Sequence, residues 1–219
     1  MKKAAVVKRV IIYCLGLFIM ALGVSFSVKS DLGVSPVNSI PYVASEITGM
    51  NMGTWTIIVF CVYILIQFVL LGRNLQPWRL LQIACTVLFG WFVDLTNLLA
   101  DRFLPDPAAL GLGAVSTYGI RLGYLVISMA LVGLGIFFYL GPHLLSLPGE
   151  GVMQVISEKF HLPLHLVKIG FDCTVSVIAL VLSLAWFRGF HGVREGTVLA
   201  AIGVGKFLGL YAKLFRLRL

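Results

Sequence analysis

Charge is what this chain has least of. Of its 219 residues only 12% are charged and 59% are hydrophobic, where a soluble domain keeps roughly a quarter charged. Too little polar surface remains to face water on all sides, which excludes a soluble globular fold. Paired cysteines are missing too. Cys14, Cys61, Cys85 and Cys173 stand singly in apolar runs, without the spacing of a disulfide framework or a CxxC site, and read as small buried apolar side chains. There is no HExxH, no phosphate-cradling glycine loop, no dinucleotide fingerprint and no nucleophile elbow. No enzyme chemistry and no cofactor are therefore expected. His161 and His165 are four apart, but Pro163 separates them at a helix start and no third ligand accompanies them, so no metal site is expected. The apolar runs also lack period-two alternation, which argues against a transmembrane barrel.

What is there is a set of long apolar runs. Mean hydropathy is +1.00, and six stretches suffice to cross ~30 Å of hydrocarbon as helices: Val10–Val28, Thr54–Leu71, Trp78–Ala100, Leu122–Gly141, Leu164–Trp186 and Thr197–Leu214. Met1-Lys2-Lys3 ahead of the first run has the form of a secretory signal, but the run is long and no small-x-small cleavage site follows. It is read as the first helix. The net charge of +8 does not form a patch for nucleic acid. With the N-terminus inside, the termini and even-numbered loops hold ten Lys and Arg against five in the odd-numbered loops. That bias puts both termini in the cytoplasm.

The chain also echoes itself. Leu22-Gly23, Phe26, Leu32, Pro36, Val43 and Ser45-Glu46 return 112 positions later as Leu134-Gly135, Phe138, Leu144, Pro148, Val155 and Ser157-Glu158. A later echo, shifted by three further residues, sets Arg79 and Gly90 against Arg194 and Gly205. One membrane domain over 1–219 follows, with a first repeat over about 1–100, a linker over about 101–117 and a second repeat over about 118–219. A unit with three crossings reverses direction, so the second copy is expected upside down relative to the first, as in many transporters. The expected fold is an all-α integral membrane protein: six transmembrane helices as two inverted three-helix repeats, each with a short broken or re-entrant segment after its first helix.

Those segments are Gly33–Gly49 and Leu145–Phe160. Ser35-Pro36 and Leu147-Pro148 resemble helix starts, because proline suits the first turn. About ten residues after each proline make a helix of roughly 15 Å, half a membrane thickness. A re-entrant piece implies a cavity, since non-regular backbone at that depth must be buried in protein or line water. An amphipathic helix lying on the membrane surface is the alternative. Pro41 interrupts the first copy, so a kinked or partly extended piece is expected there.

Polar residues inside these segments and spans are the candidate ligands, because intramembrane ionisable groups are costly and mark sites by default. Glu46 and Glu158 are the symmetric acidic pair: in re-entrant segments they reach the midplane from opposite sides and bind a cation, an amine or a proton, and the alternative is that both sit at the water interface and merely end short helices. Asn38 matches Glu150, both in the first turn of their helices, where free N–H groups favour an anion; plain capping is the alternative. Lys168 and Asp172 lie four apart on one helical face and neutralise each other, either as a structural pair or facing a cavity. Lys206 falls mid-span and needs an acidic partner from another helix. Asp94 stands near the end of the third span, and Trp55, just after the first broken segment, is placed to stack on a ligand. Gly16, Gly23, Gly133 and Gly135 suit close helix packing, and the small residues leave room for a homodimer face.

LGVSPVNSIPYVAS after a first helix containing ALG, with REGTVLAAIGVG before the last span, resembles the YczE/YyaS/YitT-type bacterial integral membrane proteins over most of the chain. The resemblance implies a multi-pass protein of the bacterial inner membrane and carries no ligand set. Gly149-Glu150-Gly151 stands where the first copy has Val37-Asn38-Ser39, so a strictly symmetric site is not expected. The residues themselves point to a secondary transporter of a small polar or charged metabolite. A substrate-capture subunit of a multi-component vitamin importer and a non-transporting membrane adaptor are the alternatives. The expected partners are the lipid bilayer and an unidentified small molecule.

Overall fold

The computed structural model describes residues 3–72, 80–111, 113–142, 144–189 and 192–215. Expectations attached to Lys2, Arg73, Trp78, Arg79, Arg216 and Arg218 lie outside the described residues. Within them the chain forms helices α1 (Lys3–Ser30), α2 (Pro36–Thr48), α3 (Met52–Leu71), α4 (Leu81–Phe103), α5 (Ala114–Leu140), α6 (Pro148–Phe160), α7 (Leu164–Phe187) and α8 (Glu195–Leu214). All but α2 and α6 are long and apolar enough to cross a membrane. Their outward side chains are themselves apolar, among them Leu65, Val69, Leu98, Val177, Val181 and Ile202. In water that arrangement would be one large sticky patch; in lipid it is the required exterior. The chain is a multi-pass membrane protein.

The two short helices begin on Pro36 and Pro148 and are closed by left-handed residues, Gly49 at φ 70° and His161 at φ 53°. Each has 13 residues, roughly 20 Å, too short to span. Pro41 does not break α2, so the partly extended piece allowed for there does not form. The helix runs through it with Pro41 buried. A proline forfeits one helical hydrogen bond, and α2 tolerates that loss because it is packed against both α3 and α7.

The centre of the bundle is the α1–α5 pair, its most extensive contact. Glycines make it possible. A methyl group on Gly16 would lie 2.5 Å from the backbone nitrogen of Tyr139, one on Gly135 2.5 Å from that of Met20, and one on Gly23 2.8 Å from that of Val132. The helices therefore touch backbone to backbone, the geometry that small residues allow. Position 16 faces 139, 20 faces 135 and 23 faces 132, so the two helices run in opposite directions.

The other helices cross over around this pair. α4 packs on α1 and α8 on α5, while α2 reaches across to α7 and α6 to α3. The last contact is specific: Gln67, buried in α3, donates from Nε2 to the Pro148 carbonyl at 3.1 Å. One relation is not matched. α3 packs closely on α4, where Gly53 meets the Gly90 backbone and donates its N–H to Asp94 Oδ1 at 2.6 Å. A carboxylate at the start of α3 suits the positive end of that helix. Among the described residues α7 and α8 make no contact as extensive as that of α3 and α4, and Gly205 on α8 has nothing within 4 Å of its would-be side chain.

Polar contacts gather at one end of the bundle. Lys29 pairs with Asp101 at 2.7 Å, and Asp31 takes Arg121 at 3.0 Å with Arg194 at 3.8 Å beside it. The Val34 N–H donates to the Gly192 carbonyl at 3.0 Å and the Gly196 N–H to that of Leu32 at 2.8 Å. These contacts tie the α1–α2 link to the start of α8, opposite the end where α1 begins and α8 finishes.

Candidate functional site

A cavity of about 460 Å³ lies in the middle of the bundle, within the range of small-molecule sites, with residues of all eight described helices on its wall. The first turns of α2 and α6 enter it: Ser35, Pro36, Val37 and Asn38 from one side, Leu147, Gly149 and Glu150 from the other. The chain reaches that depth by folding back. After Asp31 it returns beside α1, where the Ser27 hydroxyl donates to the Gly33 carbonyl at 3.1 Å. Ser35 and Asn38 then share a small annex of about 10 Å³ with Val24 and Ser128, a turn or more below the end of α1.

The walls are mostly apolar. Met20, Val132, Ile136 and Val204 come from the central and eighth helices, and Phe60 and Phe89 close the side formed by α3 and α4. Phe60 and Phe89 are stacked, centroids 5.9 Å apart and planes at 10°, and both are buried. That seam is solid. On the opposite side Leu164, Lys168 and Asp172 of α7 face Ala201, Gly205 and Leu208 of α8 across the space. These lie toward the end where α5 finishes and α7 begins, so the cavity extends toward the end where α1 begins and α8 finishes.

Four of the residues singled out by sequence meet here. Asn38 is 7% exposed; its Nδ2 donates to Ser35 Oγ at 2.9 Å, while its Oδ1 has no partner. Glu150 sits at the third position of α6, where its carboxyl accepts from the Tyr139 hydroxyl and from the Leu147 backbone N–H. The latter is half of a capping box, so the positive end of α6 is met by the chain's own acid. Lys168 Nζ contacts Asp172 Oδ2 at 2.9 Å, and the other Asp172 oxygen is buried and unpartnered.

The other four do not meet there. Glu46 and Glu158 are exposed, near the far ends of α2 and α6, and neither lines the cavity. Ten residues separate each from its helix-starting proline, roughly 15 Å along the helix, so the two acids point away from the centre that Asn38 and Glu150 occupy. Trp55 donates from Nε1 to Thr48 Oγ1 at 2.7 Å, tying the start of α3 to the end of α2 rather than facing a ligand. Lys206 is exposed on α8, off the cavity wall, and no ion pair to it is found among the described residues. Asp94, near the end of the third span, caps α3. Sequence reasoning passed over Phe60, Phe89, Tyr139 and Gln154. The first two look like ordinary span residues; only the polar tip of Tyr139 near the end of a span offered a signal.

A model of a family of unknown function, DUF6198, matches residues 7–213. The chain is 28% identical over 207 residues to the uncharacterized membrane protein YczE of Bacillus subtilis, an alignment covering 94% of this chain and 86% of that protein. It is 27% identical over 211 residues to an uncharacterized protein of Haemophilus influenzae, covering 94% and 86%. To the uncharacterized protein YyaS of Bacillus subtilis it is 26% identical over 200 residues, covering 91% and 90%. No solved structure matches the chain.

Proposed function

The chain belongs to the DUF6198 family of unknown function, and from that premise we propose that it is a secondary transporter of a small molecule, built from two inverted three-helix units around one central site. The observation that carries the reading is the pairing of residues on the cavity wall. At the 112-residue register, Met20 corresponds to Val132, Ser35 to Leu147, Val37 to Gly149, Asn38 to Glu150 and Phe60 to Asp172; at the later 115-residue register, Phe89 corresponds to Val204. Both members of every pair line the cavity. Two antiparallel central helices meeting around the midpoint of that register, and short helices that exchange sides, are what a two-fold axis in the membrane plane requires. α2 and α6 then act as re-entrant half-helices, with their N-termini at the site.

The mismatch between the halves supplies the transport step. The α3–α4 seam is shut at Gly53, Gly90 and Asp94, while the corresponding α7–α8 seam is parted at Gly205. With both termini cytoplasmic, this is an inward-facing state, closed outside by the ion pairs of Asp31 and Lys29. If the halves exchange conformations, α3 and α4 part and α7 closes on α8, and the same site faces outward. Asn38, Glu150, Lys168 and Asp172 are the site residues of this reading; Glu46 and Glu158 mark the two membrane faces.

Two measurements test it. In a cysteine-free background, Glu46→Cys and Glu158→Cys should react with a membrane-impermeant maleimide from opposite sides; labelling from one side rejects the inverted repeat. A ligand found by thermal-shift screening, which works because binding to the folded state raises its stability, should then show counterflow in proteoliposomes of the isolated protein. Binding without counterflow would replace the transporter by a capture subunit that needs partners. A membrane adaptor has no use for the cavity and predicts no ligand at all.

A further inference from the structure

Within that transporter reading, we propose that the cavity takes an amphipathic cation carrying N–H donors: a primary amine or guanidine on an apolar body. The wall offers hydrogen-bond acceptors in search of donors. Asn38 Oδ1 and Asp172 Oδ1 are buried without a partner, and Asn38 is more than nine-tenths buried on the cavity wall. Burying such atoms unpaired costs free energy that a donating ligand returns. The remaining wall, Phe60, Ile136 and Val204 among it, suits an apolar body and gives a strongly hydrated ion nothing to replace its water.

An anion fits poorly. The positive end of α6 is already met by Glu150, which accepts from the Leu147 N–H. Among the described residues Lys168 is the one cation on the wall, and it is engaged by Asp172 at 2.9 Å. A cation, in contrast, has a simple way in. The Lys168 side chain is 54% exposed and that of Asp172 only 14%, so an entering ammonium displaces Lys168 from Asp172. The lysine then extends into water on its flexible stem. One ammonium replaces another, and no carboxylate is left bare.

Three probes sharing a fluorophore separate the possibilities: dansylcadaverine, with a primary ammonium; dansyl amide, neutral; and dansylglycine, with a carboxylate. Binding is read as fluorescence enhancement and blue shift on the purified full chain, against detergent micelles alone. Dansylcadaverine is expected to bind at least tenfold more tightly than the other two, and Asp172→Asn to remove most of that preference. Lys168→Gln keeps or tightens dansylcadaverine binding, because it removes the competing ammonium; a merely structural ion pair would make the same substitution weaken it. Equal or tighter binding of dansylglycine overturns the proposal, and so does full cation affinity in Asp172→Asn. The transporter reading is judged separately by counterflow. Selective amine binding without exchange leaves the ligand class standing and removes transport, whereas exchange of dansylglycine alone does the reverse.

Discussion

Gly90 and Gly205 are matched in the 115-residue echo of the sequence, yet the same substitution should have different effects on them. An alanine methyl at Gly90 would lie 2.5 Å from Ile57 Cγ1 and 2.7 Å from the Gly53 carbonyl oxygen. The second of these is backbone and cannot rotate aside, so α3 and α4 must separate. Inserting a methyl into a filled contact costs about 1–3 kcal/mol, and about 1 kcal/mol moves the melting temperature of a chain this long by roughly 2–4 °C. At the middle of that range, about 2 kcal/mol, Gly90→Ala should melt about 4–8 °C lower. At Gly205 the methyl meets nothing within 4 Å, so Gly205→Ala should stay within about 2 °C of the parent. The assay is thermal unfolding of purified protein in one detergent, followed by tryptophan fluorescence. Equal losses in the two variants would mean that α7 packs on α8 as α3 does on α4, and the proposed inward-facing state would have to be abandoned.

Gly135→Leu drives a side chain into the Met20 and Gly16 backbone and should abolish a monodisperse peak in gel filtration; a well-behaved variant would mean α1 and α5 do not touch as described. Gln67→Leu removes the Gln67–Pro148 hydrogen bond and should cost about 1–2 kcal/mol, read as a lower melting temperature; no change would mean α6 is held without it. Asp31→Asn breaks half-exposed ion pairs and should shift melting by no more than ~1 kcal/mol, a difference that shrinks further in high salt; a large, salt-insensitive loss would contradict that. Glu46→Gln and Glu158→Gln lie off the cavity wall and should leave dansylcadaverine affinity unchanged, whereas a tenfold loss would return them to the site.

Six apolar runs and two proline-led segments were legible because burial in lipid leaves little freedom: length, hydropathy and missing N–H groups decide them. The echo between the two stretches of sequence was visible as well, but not which echoed positions line the cavity. Glu46 and Glu158 look alike and lie at the exposed ends of their helices. Phe60 and Asp172 share the cavity yet have nothing chemical in common. Likeness in residue type does not report depth, which depends on how far along a helix a residue falls from the end that is buried. Asn38 and Glu150, two residues past their prolines, were the better guide for that reason. The tertiary partners of Asn38 and Glu150 were beyond reach, since nothing local to α5 says that Tyr139 donates to Glu150, or to α3 that Gln67 secures α6.

The glycine-lined crossing of α1 and α5 has a mechanical consequence. Contact between two main chains leaves no flexible side chains to absorb sliding, so the crossing behaves as a fulcrum while the helices on either side are levers. Counted from Met20, the arms of α1 are about 26 Å toward its start and about 15 Å toward its end. A tilt of about 10° would then swing the first tip by roughly 4–5 Å and the second by roughly 3 Å, a water molecule's width or more, while the pivot itself hardly stirs.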